Sequence, residues 1–360
     1  MELKFDTSKT YAIALEGGGA KGAYEAGVTV VASYPGTPST EITKNIVKYD
    51  EIYAEWAPNE KVAMEAAFGA SLAGRRSFCG MKHVGLNVAA DPLFTISYTG
   101  VNAGMVIGVA DDAGMHSSQN EQDSRHYAMG SKTMMLEPSD SAECLEYTKK
   151  AFELSEKFDT PVIIRLTTRV AHSRSAAPVA DRVDNGLKEY VKNPQKYVMM
   201  PANAKGKHVV VEQRILDQIA YCEEGAEGLN TVEYNSKKIG VITSGICYQY
   251  AKEVYGEEAS ILKLGMVWPL PEKMIKDFAS KELKNDDITE CTLILTMERK
   301  QKEKVLANFE NTHIENVYAL ADFVDDELET LDPYGGNLQS YGLCYESLHK
   351  SIEKLVNILN

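Results

Sequence analysis

Short, continuous apolar runs alternate along this chain with segments whose apolar positions recur at helical spacing. YAIAL (11–15) is such a run, and EGGGAKGAYEAGV after it completes a strand–glycine turn–helix pattern. VTVVASYPGTPST (28–40) reads as a buried strand running into a Pro/Gly loop, with EITKNIVKYD (41–50) as the amphipathic helix beyond it. NEKVAMEAAFGASLAG (59–74) is rich in Ala, with Gly spaced for close packing, and predicts a buried helix. RRSFCGMKHVG (75–85), GMVIGVADDAG (104–114) and PVIIRLTT (161–168) supply further strands. Strands apolar on both faces, alternating with helices, predict an α/β fold built on a parallel sheet.

Regular signals thin out over 176–236, which reads as a long linker ending in a helix from about 209 to 224. A second α/β unit opens at KKIGVITSG, with a helix at ICYQYAKEVYG, a strand at ASILKLGMV and a helix after the WPLPEK turn. KNDD separates it from TLILTM, ERKQKEKVLANF and a last helix, YESLHKSIEKLVNIL. The expected division is an N-terminal strand and glycine-rich turn (1–28), a main α/β domain (29–178), a linker and helix (179–236), and a smaller α/β domain (237–360).

With 360 residues there is length for two or three domains, each with its own core. The net charge of −14 argues against a nucleic-acid surface, which needs clustered Lys and Arg. No apolar run reaches membrane-spanning length and the N-terminus has no signal-peptide core, so a cytoplasmic protein without membrane contact is expected. The cysteines at 79, 144, 222, 247, 291 and 344 form no C-x-x-C pair. Zinc-ribbon, thioredoxin and iron–sulfur spacings are therefore missing, reduced thiols are expected, and no residue is assigned to a metal.

Three segments carry candidate chemistry. YPGTPSTEI (34–42) puts Pro35, Thr37 and Ser39 in a loop after a strand, the edge where open parallel sheets bind ligands; a simple turn and helix cap is the competing reading. Glu60 opens a helix whose next turns are mostly apolar. Burial disfavours a charged carboxylate and suits one that shares a proton with a ring nitrogen, although a helix-dipole role fits the same position. HSSQNEQDSRHYA (116–128) packs hydrogen-bonding side chains between two apolar segments, as a functional loop or a solvated one would. Arg125 is its fixed cation, suited to holding a carboxylate or phosphate bidentately.

YPGTPSTEI, NEKVAMEAAFGASLAG, MKHVGLNVAADPL, YTGVNAGMVIGVADDAGMHSSQNEQDSRHYA, LEPSDSAE and TPVIIRLTTRVAHSRS follow in order. Together they resemble the N-terminal domain of the indolepyruvate ferredoxin oxidoreductase alpha subunit, a thiamine-diphosphate 2-oxoacid oxidoreductase. MMPANAKGKHVVVEQR, GVITSGICYQY and LKLGMVWPLPEKMI continue the likeness into a transketolase-C-terminal-like domain, so it covers about residues 23–280. The resemblance implies a pyrimidine-binding domain followed by that smaller domain. It also implies oxidative decarboxylation of an aryl 2-oxoacid to an acyl-CoA, with ferredoxin as acceptor. Glu60 matches the glutamate that bonds the aminopyrimidine nitrogen; Thr37 and Arg125 match positions near substrate, and Pro35, Asn87 and His116 are carried over as cofactor-loop neighbours. A homo- or hetero-oligomer, such as a dimer, is implied too.

The chain departs from that family in places. No GDG triplet occurs and no cluster-binding cysteine spacing. Magnesium and the diphosphate are therefore expected on a missing domain or partner, and the chain alone is expected to be inactive. YAIALEGGGAKGAYEAG (11–27) is similar to the oxyanion loop of patatin-like phospholipases, without a G-x-S-x-G elbow. TLILTMERKQKEKVLANF…DPYGGNLQSY (292–341) resembles low-molecular-weight protein-tyrosine phosphatases, Asp332 matching the general acid, but no cysteine begins a C-x5-R motif. A mosaic chain, a non-catalytic α/β subunit and a phosphatase-like or patatin-like hydrolase are the alternatives.

Overall fold

The computed structural model describes residues 8–14, 18–236, 238–279, 293–309, 315–326 and 338–359. Two compact units emerge, Met1–Ala279 and Ser280–Asn360. In the first, β1 (Tyr11–Ala14) and α1 (Gly19–Glu25) precede β2 (Val30–Ser33), α2 (Thr40–Ile46), β3 (Tyr53–Trp56) and α3 (Glu60–Leu72). Next come β4 (Ser77–Lys82), α4 (His83–Val88), α5 (Ala90–Thr99), β5 (Met105–Asp111), α6 (Arg125–Ser131), β6 (Met135–Leu136) and α7 (Ser141–Lys157). Beyond them are β7 (Val162–Thr167), α8 (Thr168–Ala171), β8 (Ser175–Pro178), α9 (Pro194–Tyr197) and α10 (Pro201–Glu223). The unit closes with β9 (Asn230–Glu233), β10 (Gly240–Ser244), α11 (Ile246–Tyr255), β11 (Ser260–Leu264), β12 (Met266–Trp268) and α12 (Glu272–Ala279).

The main sheet has seven strands in the order β12-β6-β7-β5-β4-β2-β3, parallel except where β12 joins β6. Its centre is apolar on both faces: every residue of β5 is buried, and helices cover each side. The expected parallel sheet is therefore observed. The strand of the second α/β stretch at Met266–Trp268 pairs onto this sheet rather than onto its neighbour β11, which lies in a three-stranded sheet of order β10-β11-β9.

Helix α3 differs from the fully buried helix that its Ala content suggests. Glu60, Ala63, Met64, Ala67 and Ser71 are buried at helical spacing, while Glu65, Ala66 and Gly69 are exposed. Asn59 caps it, its side chain accepting from Val62 N–H at 3.0 Å. Helix α10 starts eight residues ahead of expectation because Pro201 fits its first turn.

Gly18, just before α1, and Gly22, within it, serve close helix packing. Gly18 has φ +71°, and a Cβ there would lie 2.0 Å from the Ser141 carbonyl oxygen; one at Gly22 would lie 2.5 Å from that of Leu145. Both approaches seat α1 against α7.

In the second unit, β13 (Ile294–Thr296) pairs in parallel with β14 (Val317–Ala319). Helices α13 (Arg299–Asn308), α14 (Leu320–Phe323) and α15 (Leu338–Leu359) accompany them. Glu298 and Gln301 form a capping box on α13. Asp326 accepts from Ser351 at 2.8 Å and pairs with Lys354, anchoring α15.

Candidate functional site

Because β2, β3, β4, β5 and β7 run parallel, the loops leaving them emerge on one carboxyl edge. The loop after β2 holds Pro35 and Thr37, both exposed. It folds on itself: Ser39 donates from N–H (2.8 Å) and Oγ (2.7 Å) to the Gly36 carbonyl, and Gly36 N–H donates to Thr40 Oγ1 at 2.8 Å. The Thr37–Pro38 peptide is cis.

Lys82, the last residue of β4, ties two loops together. Its stem lies against Gly36, where a Cβ would come within 2.8 Å of Lys82 Cδ, and its Nζ donates to the Ser117 carbonyl at 3.0 Å. His83 follows, fully buried, and its Nε2 bonds the Asn120 backbone carbonyl at 3.0 Å. A carbonyl only accepts, so Nε2 carries a proton and donates it to that bond. The His83 Nδ1 is buried without a partner among the described residues.

Glu60 begins α3, just after the loop that leaves β3, and is 9% exposed. Helix α4 presses its backbone on it: a Cβ at Gly85 would sit 2.5 Å from Glu60 Oε1 and 2.6 Å from Cγ. Among the described residues no hydrogen bond or ion pair reaches the Glu60 carboxylate. Its oxygens are not among the fully buried atoms, so a donor that binds at this edge can reach them. Burial, with Glu60 adding to it, pushes the neighbouring Cys79 thiol upward and keeps it protonated.

The loop from Asp112 to Ser124 is bound by carboxylates at the end of β5. Asp112 accepts from Ser117 N–H (2.7 Å), Ser118 Oγ (2.8 Å) and Thr168 Oγ1 (2.7 Å). Burial opposes its ionisation, but these bonds and one from His116 N–H outweigh burial and hold it down to about 2. Asp111, fully buried, accepts from Ser124 N–H at 3.0 Å and from its hydroxyl. Arg165 from β7 spans Asp111 and Glu137, each at 2.8 Å.

Arg125 lies at the end of this loop, and its guanidinium is held bidentately by Asp123, with Nε at 2.9 Å from Oδ1 and Nη2 at 2.7 Å from Oδ2. The fork read from sequence as open to an external anion is thus occupied by a carboxylate two residues away. His116 is exposed beside Gly114, and Asn87, exposed on α4, accepts from the Tyr127 hydroxyl of α6. Helix α4 is the hub. Lys82 immediately before it touches the Thr37 loop, His83 the Asn120 loop, Gly85 Glu60, and Asn87 the Arg125 helix.

Sequence reasoning passed over Lys82, His83, Asp111, Asp112 and Arg165. Arg165 carries the clearest signal, a charge inside the apolar strand PVIIRLTT, and the paired Asp at the end of GMVIGVADD is a second.

Residues 21–238 match the family described as pyruvate flavodoxin/ferredoxin oxidoreductase, thiamine diphosphate-binding. The chain belongs to this family. The matched span contains the whole carboxyl-edge constellation, from Pro35 to Arg125. Indolepyruvate oxidoreductase subunit IorA of Methanothermobacter marburgensis is 44% identical over 269 residues, 72% of this chain and 43% of that protein. Its namesake from Archaeoglobus fulgidus is 42% identical over 276 residues, 73% of this chain and 44% of that protein. This chain thus spans less than half the length of these relatives. A solved 2-oxoglutarate:ferredoxin oxidoreductase from Magnetococcus marinus, with 2-oxoglutarate, coenzyme A and succinyl-CoA bound, shares the fold. It superposes with a TM-score of 0.59 at 16% identity, covering 87% of this chain and 62% of that one. Residues 270–360 match a second family, low molecular weight phosphotyrosine protein phosphatase. Asp332 lies outside the described residues. Among the described residues no helix is long and apolar enough to cross a membrane.

Proposed function

We propose that this chain supplies the pyrimidine side of a thiamine-diphosphate site in an oxidoreductase that decarboxylates an aryl 2-oxoacid of the indolepyruvate type. The observation that carries the proposal is Glu60, a buried carboxylate at the carboxyl edge with no partner among the described residues. Its place fits a ring nitrogen that needs a carboxyl group to share its proton. When bound, thiamine diphosphate supplies the carbanion-stabilising chemistry that 2-oxoacid decarboxylation requires.

The chain's own residues do the rest. Gly85 leaves Glu60 the room it occupies, and Lys82 ties together the loops that carry Pro35, Thr37 and His116. His83 Nδ1 is a buried ring nitrogen without a partner among the described residues, and Asn87, held by Tyr127, lies on the same helix. Arg125, paired to Asp123, places a neutralised ion pair at the rim that a substrate carboxylate would have to open. The relatives from Methanothermobacter marburgensis and Archaeoglobus fulgidus are indolepyruvate oxidoreductase subunits, and that supports the aryl substrate. Coenzyme A as acyl acceptor, ferredoxin as electron acceptor, oligomeric assembly and a cytoplasmic setting belong to the same proposal. Within these 360 residues no GDG triplet or cluster-type cysteine spacing appears, so magnesium, diphosphate and electron transfer are assigned to protein beyond them.

The experiment is dye reduction with indolepyruvate, thiamine diphosphate, magnesium and coenzyme A. The purified chain should give none, and adding a protein that carries a diphosphate-binding domain and iron–sulfur relay should restore it. Full turnover by the chain alone would refute this division of labour.

A further inference from the structure

The opposite edge of the sheet holds a cavity of about 400 Å³ that the carboxyl-edge site does not use. Thr29 lies just before β2, Arg75 and Arg76 just before β4, and Ala103 just before β5, so these residues mark the amino edge. The six residues of β4 separate it from Lys82 by about 17 Å at the usual rise of a strand. The outer wall is an irregular strap that includes Arg182, Asp184, Asn185, Gly186 and Lys188. Val183 N–H bonds the Glu25 carbonyl at 2.9 Å, Lys188 N–H that of Gly74 at 3.0 Å, and Asn185 Nδ2 that of Ala26 at 2.8 Å.

The lining is positive in a strongly acidic chain. Arg75, Arg76, Arg182 and Lys188 face two carboxylates, Glu156 and Asp184, on a protein of net charge −14. Arg76 is spent: it grips Glu156 at 2.9 and 2.8 Å and the Ala26 carbonyl at 2.9 Å. Arg75 and Arg182 are not. Arg75 makes one side-chain hydrogen bond, from Nη1 to the Gly186 carbonyl at 2.9 Å. Arg182 makes one, from Nη1 to the Tyr24 carbonyl at 3.1 Å, while packing on the Tyr24 ring. Among the described residues their Nε and second Nη groups have no acceptor. Thr29 Oγ1 is buried at the same cavity without a partner.

We propose that this cavity binds a small phosphomonoester, such as a sugar phosphate. Arg75 on the sheet edge and Arg182 on the strap grip the phosphate, and Thr29 receives a hydroxyl of the body. Guanidinium forks match phosphate geometry, and two excess positive charges match a phosphate dianion. The volume is several times what a bare phosphate needs and falls within the range of small-molecule sites. The ligand would bridge strap and sheet, so binding should fasten the strap.

The test is calorimetric titration of the full chain at fixed ionic strength with ribose 5-phosphate, inorganic phosphate, ribose and succinate. It is paired with trypsin cleavage after Arg182 and Lys188. Ribose 5-phosphate should bind, more tightly than inorganic phosphate, and should slow both cleavages; ribose and succinate should do neither. Arg75→Ala and Arg182→Ala should each weaken binding about tenfold, the loss of a charge-assisted hydrogen bond. If the alanine variants do not fold, the Arg75→Lys/Arg182→Lys pair decides, since lysine keeps charge without the fork and should also weaken binding. Glu60→Gln should bind normally, which separates this site from the carboxyl-edge reading. No binding of ribose 5-phosphate overturns the proposal. Inorganic phosphate binding equally well means an adventitious ion only and also overturns it, as do equal binding of succinate and unchanged affinity in the lysine pair.

Discussion

Replacing Arg165 by Leu tests whether the floor of the carboxyl edge is an ion cluster that the fold depends on. The Arg165 side chain is 9% exposed, and its partners Asp111 and Glu137 are 0% and 7% exposed. Leucine keeps the apolar stem but strips both carboxylates of their cation. Asp111 keeps its bonds from Ser124, whereas Glu137 Oε2 already has no partner among the described residues, so Glu137 suffers more. Removing one member of a buried ion pair costs about 3–5 kcal/mol. Domains are stable by about 5–15 kcal/mol, so about a fifth or more of the total is at stake. Arg125→Leu is the matched control, because its pair with Asp123 is 46% and 34% exposed and is worth less than about 1 kcal/mol. Urea unfolding followed by tryptophan fluorescence reads this unit, since Trp56 and Trp268, the chain's two tryptophans, both lie within Met1–Ala279. Arg165→Leu should lower the midpoint sharply and Arg125→Leu scarcely. The reasoning fails if Arg165→Leu stays within about 1 kcal/mol of the parent, or if the two variants cost the same.

Two further outcomes follow from the same edge. Asp112 is held below the usual carboxylate range, so its stabilisation is complete above about pH 4 and fades as pH falls through about 2. Asp112→Asn should cost about 2 kcal/mol at neutral pH, and an acid titration of the variant should lose that part of the parent's pH dependence. Gly85→Ala should keep the far-ultraviolet circular dichroism of the parent, since Gly85 is helical and alanine favours helices. Its new Cβ meets Glu60 at 2.5 Å, so activity of the complemented enzyme should nevertheless fall.

The parallel sheet was legible because β5 and β7 are continuous apolar runs, a pattern that a sheet buried on both faces requires. Strand β3 was not, because it is the sheet's edge and leaves Tyr53, Glu55 and Trp56 exposed, which erases the apolar signature. MKHVG read as the end of a strand, yet a helix begins at His83; that switch puts His83 and Gly85 against the loop and Glu60, and no local periodicity signals it. The burial of Glu60 was legible from the apolar turns after it. Arg125 was legible as a cation but not as one already paired, because a bond to Asp123 two residues earlier depends on the turn between them. The placement of β12 on the main sheet is a long-range pairing that its three residues do not encode locally.

In the proposed site the Glu60 carboxyl group serves the pyrimidine ring of thiamine diphosphate. The most direct test of that role is indolepyruvate decarboxylation by the complex of this chain with a protein carrying a diphosphate-binding domain, the parent against Glu60→Gln. Glutamine keeps the shape and a hydrogen-bonding oxygen but cannot share a proton. The parent complex should turn over and the Glu60→Gln complex should lose at least about a hundredfold, the usual scale of proton-transfer catalysis, while cofactor-independent folding stability stays unchanged. Undiminished turnover by the Glu60→Gln complex would contradict that role.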